Sequence, residues 1–129
     1  MKKLRVAVLG CGRIAAVYKS ALEHLDGLCE VVLAMDKHLD RAQAFAAGFA
    51  GCEASDAVEP EAFRRKLTEC SPDLVHILLP HHLHCTYAVA ALECGVNVLT
   101  EKPIAITLTD ADRMIAAQKA SGKQLGVIF

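Results

Sequence analysis

Four clusters in this sequence hold residue types that do chemistry. Gly10-Cys11-Gly12-Arg13-Ile14-Ala15 follows directly on the apolar run LRVAVL. Its G-x-G-x-x-A spacing is the alanine form of a dinucleotide-binding turn. The first glycine permits a tight turn, the second lets a pyrophosphate approach the backbone, and the small third residue lets a helix pack on a strand. A helix opening there offers free N–H groups and a positive dipole end to phosphates. Asp36 closes a second apolar run, VVLAM, roughly twenty residues on, where an acid bonds ribose hydroxyls. A carboxylate at that place repels the extra phosphate of NADP, whereas Lys37, His38 and Arg41 would attract it. NAD is therefore favoured, with NADP the other candidate cofactor.

Two more clusters follow. Pro80-His81-His82-Leu83-His84-Cys85 raises a metal hypothesis, since His81, His84 and Cys85 could share one helical face. Structural zinc takes better-spaced ligand pairs. A lining beside the cofactor, with one histidine capping the helix, is the better reading, and no metal ligand is assigned. Thr100-Glu101-Lys102-Pro103 places a lysine before a proline, which restricts its backbone and leaves a cis bond open. A lysine held at a cleft mouth can act as acid, base or carbonyl polariser. The competing reading is a surface Lys–Glu pair. Cys11 in the glycine turn is read as filling space rather than as a thiolate activated by the helix end.

The elements that must position these clusters alternate. Strands are expected over Leu4–Leu9, Glu30–Met35, Cys52–Ala54, Leu74–Leu79, Val96–Leu99 and Leu125–Phe129. Helices are expected through Ile14 to Leu25, from Asp40 as cap through Phe45, from Ser55 or Asp56 through Leu67, over Leu83–Cys94, and from Thr107 through Gln118. Thr107 with Asp110 resembles a capping box. Alternating strands and helices give an α/β fold: a doubly wound, mainly parallel Rossmann-type sheet with helices on both faces. In such sheets ligands sit beyond the carboxyl ends of the strands, where all four clusters fall.

Bulk properties agree. A chain of 129 residues that is 53% hydrophobic makes one domain with a full core, taken as residues 1–129. A net charge of −1 with no basic patch argues against nucleic acid and anionic membrane as partners. No apolar run reaches membrane-span length. The six cysteines include no C-x-x-C pair and suit reduced thiols in a cytoplasmic protein. His24 and Arg64-Arg65-Lys66 read as solvated helix faces, and His76 as a core histidine.

VAVLGCGRIA, Asp36, LPHHLH and TEKPIA together resemble the glucose–fructose oxidoreductase, inositol dehydrogenase and MocA (Gfo/Idh/MocA) family, in order and over the whole chain. The resemblance implies an NAD(P)-binding domain of an oxidoreductase. Hydride would pass between nicotinamide and a sugar, polyol or related substrate, and Lys102 would be catalytic. Gly10, Gly12, Arg13, Ile14, Ala15, Asp36, Lys37, Leu79, Pro80, His81, His84, Glu101 and Pro103 would make the cofactor site with it. Glu101 and Pro103 would hold the lysine, and His84 would line the nicotinamide side. His81 stands where the family commonly has asparagine, and Leu79 where it often has threonine. The family's second domain, which carries the substrate pocket and commonly the oligomer contact, is expected beyond this chain. The chain alone is then expected to be inactive, and the positive hydropathy to reflect a face made for that domain. A non-catalytic dinucleotide sensor or scaffold is the alternative, which Lys102 and the histidines disfavour.

Overall fold

The computed structural model describes residues 2–128. Six strands form one sheet, all paired parallel: β1 (Leu4–Leu9), β2 (Cys29–Met35), β3 (Glu53–Ser55), β4 (Leu74–Ile77), β5 (Asn97–Glu101) and β6 (Leu125–Ile128). Their spatial order is β3-β2-β1-β4-β5-β6, so the order reverses between β1 and β4. Five α-helices link them: α1 (Arg13–His24), α2 (Leu39–Ala46), α3 (Pro60–Cys70), α4 (His84–Glu93) and α5 (Leu108–Ser121). A short 3-10 turn, His81–Leu83, precedes α4. This is the doubly wound arrangement that alternating strands and helices require.

The sheet separates two cores. Phe63 and Leu67 of α3, Tyr87 and Leu92 of α4 and Met114 of α5 pack with Leu9, Leu33 and Ile77 on one side. Ala15 of α1 and Phe45 and Ala46 of α2 pack with Val6, Val8 and Val31 on the other. The register of β1 on β2 shifts between Val6 and Ala7. That shift turns Val31 and Leu33, two residues apart, to opposite cores. Helix α4 is buried at seven of its ten positions because it lies between α3 and α5, so it is apolar nearly all round. Ile14 and Val17 of α1 and Leu108 of α5 remain exposed.

Several boundaries differ from expectation. Helix α2 opens at Leu39 with His38 as its cap, and Asp40 sits in the first turn, where its charge faces the helix dipole. Helix α3 opens at Pro60, not Ser55 or Asp56, since proline suits the first helical position. Ser55 instead ends β3 and its Oγ accepts the Ala57 N–H at 3.1 Å. β4 stops at Ile77, two residues early, and β5 runs on to Glu101 because Thr100 and Glu101 pair with Val127 and Ile128. Of the expected capping box the threonine half forms: the Thr107 hydroxyl accepts the Asp110 N–H at 3.0 Å, while the Asp110 carboxylate turns to Arg113 instead. Phe129, placed on the last strand above, lies outside the described residues.

Phe63 is fully buried and meets Tyr87 edge-on, with ring centroids 5.1 Å apart. Phe63→Ala should lower stability by about 3–5 kcal/mol. Urea unfolding followed by circular dichroism measures it; a loss under about 1 kcal/mol would mean that α3 is not part of the cooperative core.

Candidate functional site

The site begins with what β1 cannot avoid. Gly10 has φ +100°, and a Cβ there would stand 2.5 Å from the Leu78 carbonyl oxygen. Only glycine meets both conditions. Gly12 caps α1 in extended backbone, and a Cβ there would meet nothing within 4 Å. The helix end therefore opens onto free space wide enough for a ligand to approach the backbone. Ala15 is fully buried, as close packing of helix on strand demands.

Asp36 is buried at the end of β2, and its two oxygens accept the N–H groups of Cys11 and His38, each at 2.8 Å. It ties the glycine turn to the start of α2. A carboxylate has lone pairs beyond these two bonds, so it can still receive a hydroxyl. Burial, then the Asp36 charge, pushes the Cys11 thiol up to about 12, the direction opposite to activation by the helix end.

Two clefts meet at the strand ends. One, about 420 Å³, is lined by Gly10, Gly12, Asp36, Lys37, Leu79 and Pro80 among others. Arg41, Val58 and Tyr87 line it too, of which only Arg41 figured in the motif reading. The other, about 330 Å³, is lined by Ile14, Leu78, Leu79, His81, Glu101 and Lys102. Leu78 and Leu79 border both, so the two are neighbouring bays at the point where strand order reverses. A larger cavity of about 490 Å³ lies elsewhere, beside Lys3, Glu23 and Glu30, and holds none of the predicted residues. Arg13 is exposed at the first position of α1 and borders neither bay.

His84 departs from its expected place. It is fully buried, with one ring nitrogen 2.9 Å from the Pro103 carbonyl oxygen and the other 3.0 Å from that of Leu79. A neutral imidazole has one N–H to give to one of these two carbonyls, and the ring packs behind the lysine turn and the end of β4 instead of lining the cofactor side. No histidine of the cluster caps a helix through its side chain. His81 is exposed while His84 and Cys85 are buried, so they share no open face. Among the described residues no group of three His, Cys, Asp or Glu side chains could hold a metal ion.

Lys102 is exposed, joined to Pro103 by a cis peptide. The surface Lys–Glu pair considered above is absent among the described residues; the Tyr18 hydroxyl instead donates to Glu101 Oε1 at 2.5 Å. The helical spacing of Tyr18 marked it only as core. Its hydroxyl was the available signal, since a tyrosine in an apolar stripe needs a polar partner.

With this geometry in view, comparison with known proteins is direct. The family model described as "Oxidoreductase family, NAD-binding Rossmann fold" (GFO_IDH_MocA) matches residues 4–129. The chain belongs to this family. The chain is 32% identical over 126 residues to D-glucoside 3-dehydrogenase of Escherichia coli K12, covering 98% of this chain and 34% of that enzyme. The WlbA dehydrogenase from Chromobacterium violaceum, solved with NADH and UDP-GlcNAcA, superposes with TM-score 0.89 at 28% identity over 99% of this chain and 35% of that one. KijD10, a 3-ketoreductase from Actinomadura kijaniata solved with NADP and TDP-benzene, superposes at 0.83 with 32% identity over 98% and 37%. The chain thus spans about a third of the length of the curated relatives it matches. No helix among the described residues is long and apolar enough to cross a membrane.

Two predictions come from this Gfo/Idh/MocA site. Gly12→Ala should fold within about 1 kcal/mol of the parent yet weaken dinucleotide binding, whereas Gly10→Ala should lose about 2–3 kcal/mol. Urea unfolding and NADH titration of both variants separate the two roles, and equal stability losses would contradict the assignment. The second concerns pH. Burial holds the His76 imidazole down at about 4, against its ordinary 6.5, with Glu101 pulling weakly the other way. Between these values the unfolded chain binds a proton that the folded chain refuses. Stability should therefore fall by about 2–3 kcal/mol as pH drops from 6.5 to 4. His76→Phe should remove that part of the slope in urea unfolding measured across the range.

Proposed function

We propose that this chain is the cofactor-binding part of an NAD(P)-dependent oxidoreductase acting on a sugar, polyol or related hydroxyl or carbonyl compound. The observation that carries the reading is the meeting of the two bays. Gly12, Asp36 and Lys37 border one, Lys102 borders the other, and Leu79 stands between them. A molecule with phosphates at one end and a reacting ring at the other suits that layout.

The residues fit a dinucleotide. The open space before Gly12 and the α1 N-terminus accept a pyrophosphate, and Asp36 accepts ribose hydroxyls. When bound, the nicotinamide would supply or take the hydride. The apolar side chains of Leu78, Leu79 and Ile14 would exclude water from that exchange. Lys102 Nζ would hold or release the proton on the substrate oxygen, so that no alkoxide has to form unaided. Asp36 favours NAD, with Lys37 and Arg41 the groups that would admit NADP. Because the relatives are about three times as long, turnover is assigned to the longer protein and not to this chain alone.

Titration with NADH and NADPH, followed by nicotinamide fluorescence, tests the cofactor. The chain has no tryptophan, so the background is low. Tighter binding of NADH is expected. A preference for NADPH would shift recognition to Lys37 and Arg41, and binding of neither would overturn the reading. In the full-length enzyme, Lys102→Ala should lower kcat at least a hundredfold and change cofactor affinity by less than about threefold.

A further inference from the structure

Lys102 lies between two anchored neighbours. On its C-terminal side the Pro103 carbonyl lies 2.9 Å from a ring nitrogen of the buried His84. On its N-terminal side Glu101 accepts the Tyr18 hydroxyl at 2.5 Å, across 83 residues of sequence. Among the described residues Lys102 itself takes part in no ion pair, although a carboxylate precedes it. Tyr18 belongs to α1, the helix whose first turn faces the Gly12 space. Its ring meets the His76 ring edge-on at 4.6 Å, and His76 is 4% exposed with Nε2 unpartnered. Packing on β4 thus fixes the ring, and the fixed ring aims the hydroxyl at β5.

We propose that Tyr18 is a positioning residue that keeps the Glu101 carboxylate engaged, so that it does not pair with Lys102 and occupy its ammonium. This rests on the catalytic role assigned to Lys102 above. The chemistry is one of orientation: the bond to Oε1 sets which way the carboxylate faces, and a carboxylate held toward α1 does not swing to the neighbouring ammonium. Released from the tyrosine, Glu101 has a flexible neighbouring cation one residue away, and a semi-exposed pair would form at little cost. The bond to Glu101 also holds the Tyr18 phenol up at about 12, so it remains a donor across the working pH range. The same bond ties the phosphate-binding helix to the lysine turn. Ordering α1 around a dinucleotide then also steadies Glu101.

The test reads the lysine directly and needs no substrate. The chain's lysines are reductively methylated with ¹³C-formaldehyde, and the Lys102 resonance is identified by its loss in Lys102→Arg. The titratable groups that line the same bay are Glu101 of β5 and His81 before α4; behind them lie Tyr18, bonded to Glu101, His76 against the Tyr18 ring, and His84 against the Pro103 carbonyl. In Tyr18→Phe the Lys102 titration midpoint should move up by about half a pH unit or more, because an ion pair favours the charged lysine. In Tyr18→Phe with Glu101→Gln it should return to the parent value. An unchanged midpoint in a folded Tyr18→Phe chain would overturn the proposal. So would a rise that persists without the Glu101 charge. Should the phenylalanine variant fail to fold, Tyr18→Leu removes the hydroxyl a second way. NADH titration of the unsubstituted chain runs alongside: its failure would count against the cofactor reading, while the lysine midpoints still decide the role of Tyr18.

Discussion

The close approach of β1 to β4 at Gly10 is the constraint on which the site depends. Gly10 donates its N–H to the Met35 carbonyl at 2.7 Å, and the Leu78 N–H reaches Leu9 at 2.8 Å. The chain therefore bonds both neighbouring strands at the residue where it must also turn. No side chain fits between it and Leu78. Parallel strands connected outward on both sides of this seam leave a crevice at their carboxyl ends, and only there. The two bays lie on either side of that seam. A larger residue would separate β1 from β4 and with it the Asp36 side from the Lys102 side.

Asp36 shows how a residue proposed for recognition also carries structure. Its bonds to the Cys11 and His38 N–H groups hold the glycine turn and the start of α2 in one frame. Two of the backbone donors that a bound anion would otherwise contest are thereby satisfied before any ligand arrives. Such preorganisation lowers the ordering cost of binding. It also explains why Asp36 is buried rather than waiting at the surface, as a purely ligand-reading acid would be.

The alternation of elements, the parallel sheet and the glycine turn were legible because each rests on a local rule. The apolar runs of β1, β2 and β4 stopped at Gly10, Asp36 and Pro80, and G-x-G-x-x-A stood between a strand and a helix. Element edges were less legible where tertiary partners decide them. Thr100 and Glu101 extend β5 because β6 is there to pair with them, and β4 ends at Ile77 while Leu78, still bonded to Leu9, borders both bays. In the candidate site, Gly12, Asp36 and Lys102 fall at the strand ends where their type and position put them. The behaviour of His84 and Tyr18 was not legible, because their partners are backbone and side-chain groups far along the chain. Spacing shows which face of a helix is apolar. It does not show what a hydroxyl on that face will find.

The lysine turn illustrates how a fold controls a flexible side chain. Lys102 carries four methylenes of rotational freedom and stands exposed. Rigidity is instead built into what flanks it: Glu101 is bonded to α1, and the Pro103 carbonyl lies 2.9 Å from the buried His84 ring of α4. These two helices lie on opposite faces of the sheet, so the turn is clamped from both sides. The backbone carrying the amine is thus fixed while the amine keeps its freedom. The role proposed for Lys102, meeting a substrate oxygen in one state and releasing it in the next, would need that combination. A direct ion pair would fix the lysine more firmly and leave it less able to exchange a proton.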